Sequence, residues 1–269
     1  MSFAVLLAAL HFSVAAQVAQ AQSVRERHER IRASMDGGDE VAALNELRRL
    51  AAADPAQFAL NNYDYLLGRL SERRGDAAGA AAAYQKLVAR NSLLAEYALW
   101  HLSQLARSTG NLVLEREQLR QLLATAPASL LREAAEARLA ESFYESGDYS
   151  TAIQLLRPRS SDTKNLTTAR EALSLIGQAY LKSRQQDAAR DLFNKLIAEM
   201  PDASRPDDYA LAAVRGLDNL DGATETAAPQ LSESEHLRRA SIYNFNRDFN
   251  AARLHYLAIA ERYPQSAGI

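Results

Sequence analysis

Residues 170–201 read REALSLIGQAYLKSRQQDAARDLFNKLIAEMP, and this stretch decides the fold. Leu173, Ile176, Gly177 and Tyr180 fall on one helical face. Arg184-Gln185 interrupts that face, Ala189 and Phe193 open a second one at one-turn spacing, and Pro201 ends it. Proline stops a helix because it lacks a donor and its ring clashes with the preceding turn. A large residue beside a small one (Ile176-Gly177), then small followed by large one turn on, suits two helices in close antiparallel contact. The stretch predicts helix, tight turn, helix.

The same pattern recurs on both sides. Turn signals stand at Gly38-Asp39, Gly75-Asp76, Gly110-Asn111, Gly147-Asp148, Arg184-Gln185 and Arg247-Asp248, the first five at spacings of 37, 35, 37 and 37 residues. Pro55, Pro127, Pro201 and Pro264 each follow a turn by 17 residues, which predicts one second helix per unit that then stops. After the turns, Ala43, Ala80, Glu115, Ala152, Ala189 and Ala252 are followed one helical turn on by Leu47, Tyr84, Leu119, Leu156, Phe193 and Tyr256. Before them, Leu67-Gly68, Leu102-Ser103 and Leu139-Ala140 repeat the large-small step of Ile176-Gly177.

The period breaks after Pro201. Asp207 to Leu220 reads as a helix with Gly216 at the small position, Gly222 to Gln230 as a loop, and Ser232 with Glu235 as a capping box opening the last helix pair. At the N-terminus, residues 3–10 form an apolar run, and Ala19-Gln20-Ala21 gives a small-x-small cleavage pattern, although no Lys or Arg precedes the run. The expected organisation is an export signal over 1–21, helical repeats over 22–201, an irregular helix and loop over 202–231, and a final, truncated repeat over 232–269. Export implies a periplasmic location.

Composition excludes several function classes. The net charge of −2 supplies no general attraction to nucleic acid, and the cluster Arg25, Arg27, Arg30, Arg32 is interleaved with Glu26 and Glu29 as on a solvated helix. With no cysteine there is no disulfide, no thiolate metal site, no cysteine nucleophile and no acylated cysteine to anchor the chain to a membrane. His28, His101, His236 and His255 have no histidine partner at helical spacing, and no glycine-rich phosphate loop or serine elbow is present. The residues thus predict a non-enzyme without cofactor or metal.

These turns and size alternations resemble tetratricopeptide repeats over most of residues 24–264. The resemblance implies an all-α, right-handed α-solenoid of antiparallel helix pairs whose concave face is lined by first-helix side chains. By register that face would carry Asn62, Tyr65, Arg69 and Arg73, then Tyr97, Trp100, Gln104 and Arg107, then Glu141 and Tyr144, then Gln178 and Lys182, with Asn244 and Phe245 in the last pair. Aromatic, arginine and amide side chains suit binding, yet Tyr65, Tyr97 and Trp100 can equally cover gaps between repeats.

The runs 61–67, 96–102 and 242–249 are similar to the helical superhelix preceding the catalytic domain of bacterial soluble lytic murein transglycosylases. That similarity implies a non-catalytic scaffold with protein partners and peptidoglycan, since Glu141-Ser142 lacks the glycine-leucine-methionine-glutamine segment of that family's catalytic domain. The alternatives are an outer-membrane assembly or cell-division coordinating repeat protein and a complete lytic enzyme.

Overall fold

The computed structural model describes residues 25–265, so the export signal expected over 1–21 lies outside the described residues. Every regular element among them is a helix. The chain divides into two compact units, the first ending at Ala135 and the second beginning at Glu136. Unit 1 holds α1 (25–36), α2 (Glu40–Ala53), α3 (Pro55–Leu60), α4 (Tyr63–Arg73), α5 (Ala77–Ala89), α6 (Ala95–Ser108) and α7 (Leu112–Thr125). Helix α8 (Arg132–Glu145) contains the boundary, and unit 2 continues with α9 (Tyr149–Ser160), α10 (Leu166–Lys182), α11 (Gln186–Ala198), α12 (Asp208–Leu220), α13 (Glu233–Phe245) and α14 (Phe249–Arg262).

The repeated turns do two jobs at once. Gly38, Gly75, Gly110 and Gly147 take left-handed φ values of 72° to 83°, and Arg184 and Arg247 take the same conformation at 62° and 61°. The next N–H then reaches back to the carbonyl five residues earlier, as in Asp76 to Ser71 and Gln185 to Tyr180, both at 2.9 Å. This closes the first helix in the Schellman manner. The residue making that bond also caps the second helix: Asp76 Oδ1 accepts the Gly79 N–H at 2.8 Å, and Asp39, Asn111, Asp148 and Asp248 act alike. A Gly-Asp pair therefore specifies the stop, the reversal and the restart.

Packing follows the size alternation. Ala43, Ala80, Ala152, Ala189 and Ala252 are buried, as are Leu47, Tyr84, Leu119, Leu156 and Phe193. A Cβ on Gly68 would lie 2.5 Å from the Tyr84 ring, and one on Gly177 2.6 Å from the Phe193 ring. Gly216 presses the other edge of Phe193, where a Cβ would stand 2.3 Å away. Glycine is needed here for close approach, not for turning. The wholly buried Phe193 thus binds α10, α11 and α12 into one core, a burial worth about 2–3 kcal/mol.

Two details differ from the sequence expectation. Pro55 does follow the end of α2, but it also opens the short α3, capped by Asp54. Tyr256 is 36% exposed, and His255 takes the inward place in α14 because polar partners on α12 and α13 hold it there. Where the period breaks, α12 packs on α10 and α11 with no second helix of its own, and residues 221–232 run on as a loop. Arg170, buried in α10, staples this region: it donates to the carbonyls of Leu196 (3.1 Å) and Glu199 (2.8 Å) and to Asp207, the cap of α12, at 2.5 Å.

Candidate functional site

In unit 2, helices α8, α10 and α12 present one side each to a common groove of about 540 Å³. Helix α10 contributes Gln178, Leu181 and Lys182, and α12 contributes Ala212, Arg215, Gly216 and Asn219, both sets at the three- and four-residue steps of a single helical face. Tyr144 of α8 and Arg184 in the α10–α11 turn complete the wall, and Phe193 closes the floor. Burial raises the Tyr144 hydroxyl above its usual value, so it stays a neutral donor. Its ring meets Tyr149 edge-on at 5.5 Å. Lys182 and Arg184 are exposed, whereas Arg215 donates to Asp248 at 2.7 Å.

Three residues of the row expected from register, Tyr144, Gln178 and Lys182, therefore meet at one cavity. Glu141, one turn before Tyr144, accepts from Arg138 at 2.8 Å. Asn244 and Phe245 are exposed on α13. The α12 contribution was missed from sequence. The signal that could have found it is the spacing of Ala212, Arg215, Gly216 and Asn219, a helical face with a small residue at its centre.

The unit 1 members of the row are placed differently. Tyr65 and Arg69 are drawn onto His101, with Arg69 Nη1 2.8 Å from His101 Nε2 and the Tyr65 hydroxyl 3.3 Å from it. Glu72 accepts the Tyr84 hydroxyl at 2.8 Å and lies 3.2 Å from His101 Nδ1. The His101 and Tyr84 rings stack at 5.1 Å, and Tyr65 meets Tyr97 edge-on at 6.4 Å. Burial lowers the His101 pKa, against the pull of Glu72, and raises that of Tyr84. Arg73 pairs with Glu40 at 2.9 Å. Asn62 accepts from Ser92 Oγ at 2.6 Å and from Arg90 at 3.3 Å. Trp100 is half-buried, and Gln104 and Arg107 are exposed.

A second polar centre joins α12, α13 and α14. Asp218 accepts from Arg239 at 2.6 Å, from the Tyr243 hydroxyl at 2.5 Å and from His255 Nε2 at 3.1 Å. His255 Nδ1 lies 2.9 Å from His236 Nδ1, and Arg262 faces His236 Nε2 at 3.4 Å. Arginine can only donate, so His236 Nε2 is the acceptor and its proton sits on Nδ1, pointing at His255 Nδ1. Donors then run one way, from Arg262 through His236 and His255 to Asp218. Burial first, then the positive charge around it, holds the His236 pKa down at about 4. A cavity of about 600 Å³ adjoins this centre, but Asp218, Tyr243 and His255 on its wall already bond one another. Among the described residues no cluster of three or more His, Cys, Asp or Glu could hold a metal ion, and no helix is long and apolar enough to cross a membrane.

Residues 63–92 and 171–203 match the family model of the tetratricopeptide repeat. Comparison with curated proteins gives no match. Among solved structures, a tetratricopeptide repeat protein from Parabacteroides merdae is 19% identical, with a TM-score of 0.54 over 90% of this chain and 94% of that one. The C-terminal part of a repeat-containing protein from Cytophaga hutchinsonii is 14% identical, with a TM-score of 0.47 over 91% and 96%. At such identities the likeness is one of fold. The two matched segments coincide with the units built on Gly68–Tyr84 and Gly177–Phe193, so these two helix pairs are similar to tetratricopeptide repeats in sequence as well as in fold.

Proposed function

We propose that this chain is a binding scaffold that holds an extended segment of a protein partner in the α8–α10–α12 groove, and that it works in the periplasm after losing residues 1–21. The observation that carries the reading is the convergence of Tyr144, Gln178 and Lys182 on one open cavity with a phenol, amides, cations and an apolar floor. A large amphipathic ring, planar hydrogen-bonding groups and a desolvated strip are what a peptide interface needs.

The test is a photo-crosslinking residue placed at Gln178 in the producing cell. The reading expects a discrete protein adduct that disappears when Tyr144→Ala and Leu181→Ala are combined, with helicity retained. Sequencing the N-terminus of the recovered chain checks export, which expects Gln22 first. The narrower cell-wall reading, the scaffold portion of a lytic transglycosylase, adds that the purified chain co-sediments with murein sacculi. Sedimentation without it returns the function to protein binding alone.

A further inference from the structure

Resting on the groove reading above, we propose that the partner segment is acidic: an extended peptide with carboxylates on either side of an apolar residue. No lining residue of the groove carries a negative charge, whereas Lys182, Arg184 and Arg215 are all cationic. Arg215 is neutralised by Asp248. No carboxylate among the described residues pairs with Lys182 or Arg184, and both are exposed. What sets the pair apart is their place: two unpaired cations share one groove whose lining holds no carboxylate.

Arg184, like Arg247, holds a left-handed turn position that glycine fills at 38, 75, 110 and 147. A side chain there bears a conformational cost that glycine would not. Here that side chain reaches the groove wall. Between the cations and the floor, the amides of Gln178 and Asn219 and the Tyr144 hydroxyl can bond the peptide backbone, and Leu181 offers apolar surface to one apolar side chain. Exposed cations at a groove rim act mainly on encounter and discrimination, so binding should be salt-sensitive and charge-selective.

The experiment uses the purified chain from Gln22 and three short labelled peptides with identical leucine positions and Glu, Gln or Lys between them. Fluorescence anisotropy should rank Glu above Gln by roughly tenfold, with no binding of the Lys peptide. Affinity for the Glu peptide should fall by about tenfold or more between about 0.05 and 0.5 M NaCl. Lys182→Glu with Arg184→Glu should abolish that preference while the circular dichroism melt stays unchanged, and Lys182→Gln should lose part of it. Equal affinity for the Glu and Gln peptides overturns the acidic assignment and leaves the groove reading intact. Polyphosphate binding as tightly as the Glu peptide also overturns it, because a site reading charge alone has no use for the amides and Leu181. Adducts that form elsewhere in the chain but never at Gln178 overturn the groove itself.

Discussion

Arg69 and Arg73 stand six and two residues before the turn at Gly75, and Gln178 and Lys182 stand six and two residues before the turn at Arg184. The register is the same and the outcome is opposite. In unit 1, Arg69 is held by His101 and Glu72, and Arg73 by Glu40. In unit 2, Gln178 hydrogen-bonds Ser174 of its own helix at 3.4 Å, and Lys182 is left at the groove. One hydroxyl explains much of this. Tyr84 extends to Glu72 and seeds the polar network, whereas its counterpart Phe193 has nothing to offer and Leu181 stands where Glu72 would. Register selects the face, and the neighbouring side chains decide whether it is free.

The largest expected effect separates the two polar networks by depth. Asp218 and its partner Arg239 have side chains only 11% and 3% exposed; Asp218→Ala leaves Arg239 with Asp221 but takes the buried acceptor from Tyr243 and His255, and should cost about 3 kcal/mol. Glu72 is 24% exposed beside a half-open Arg69, so Glu72→Ala should cost about 1 kcal/mol. Urea melts of the two variants measure the gap, and equal costs would erase the distinction.

Acidification probes the unit 2 network through His236, and His101 in unit 1, whose pKa burial also lowers, adds a loss of the same sign. His236 has a folded pKa near 4 against 6.5 when unfolded, so the unfolded chain takes up the proton first. Stability is therefore unpenalised above pH 6.5, falls as the pH drops, and levels off below about 4. The groups facing His236 are His255, Arg262, Arg239 and Asp218, and only the last opposes the shift. The full loss is on the order of 3 kcal/mol. Melting temperatures taken from pH 7 to 4.5 should fall steeply in the parent and less steeply in His236→Gln. Parallel curves would remove His236 from the acid response.

The glycine contacts come next in size. Gly216→Val drives atoms into Phe193 from the α12 side and should destabilise by roughly 1–3 kcal/mol. Gly68→Val should do the same against Tyr84. A melt unchanged by both would mean that the close helix contacts are wrong.

How much of this was legible depends on whether a residue acts through its own backbone or through distant neighbours. The turns were readable because glycine, proline and cap residues fix φ or a local hydrogen bond. Register even located Arg184 and Arg247 without glycine, and both are left-handed. Tyr144, Gln178 and Lys182 were readable as one face from the repeat. Arg215 and Asn219 were not, because α12 breaks the period and has no second helix to anchor an alignment. Tyr256 was expected inside from the one-turn spacing after Ala252, but the buried bonds of His255 to Asp218 and His236 outrank it. Which members of the row are already engaged could not be read at all, since His101 and Glu72 meet only when successive repeats stack.

The smallest expected effect is also diagnostic of the opening comparison. Arg69→Ala removes a donor from the His101–Glu72 network and should cost about 1 kcal/mol, whereas Lys182→Ala should change stability by less than about 0.5 kcal/mol. Thermal melts check both, and a destabilising Lys182→Ala would mean that the lysine has a structural partner.

The most direct test of where function lies uses two glutamines, Gln104 and Gln178, each six residues before its turn. A photo-crosslinker at each position, in otherwise identical cells, asks whether the partner lies along the unit 1 row or in the unit 2 groove. The account predicts a protein adduct from position 178 and none of comparable yield from position 104. An adduct at 104 with none at 178 would contradict it.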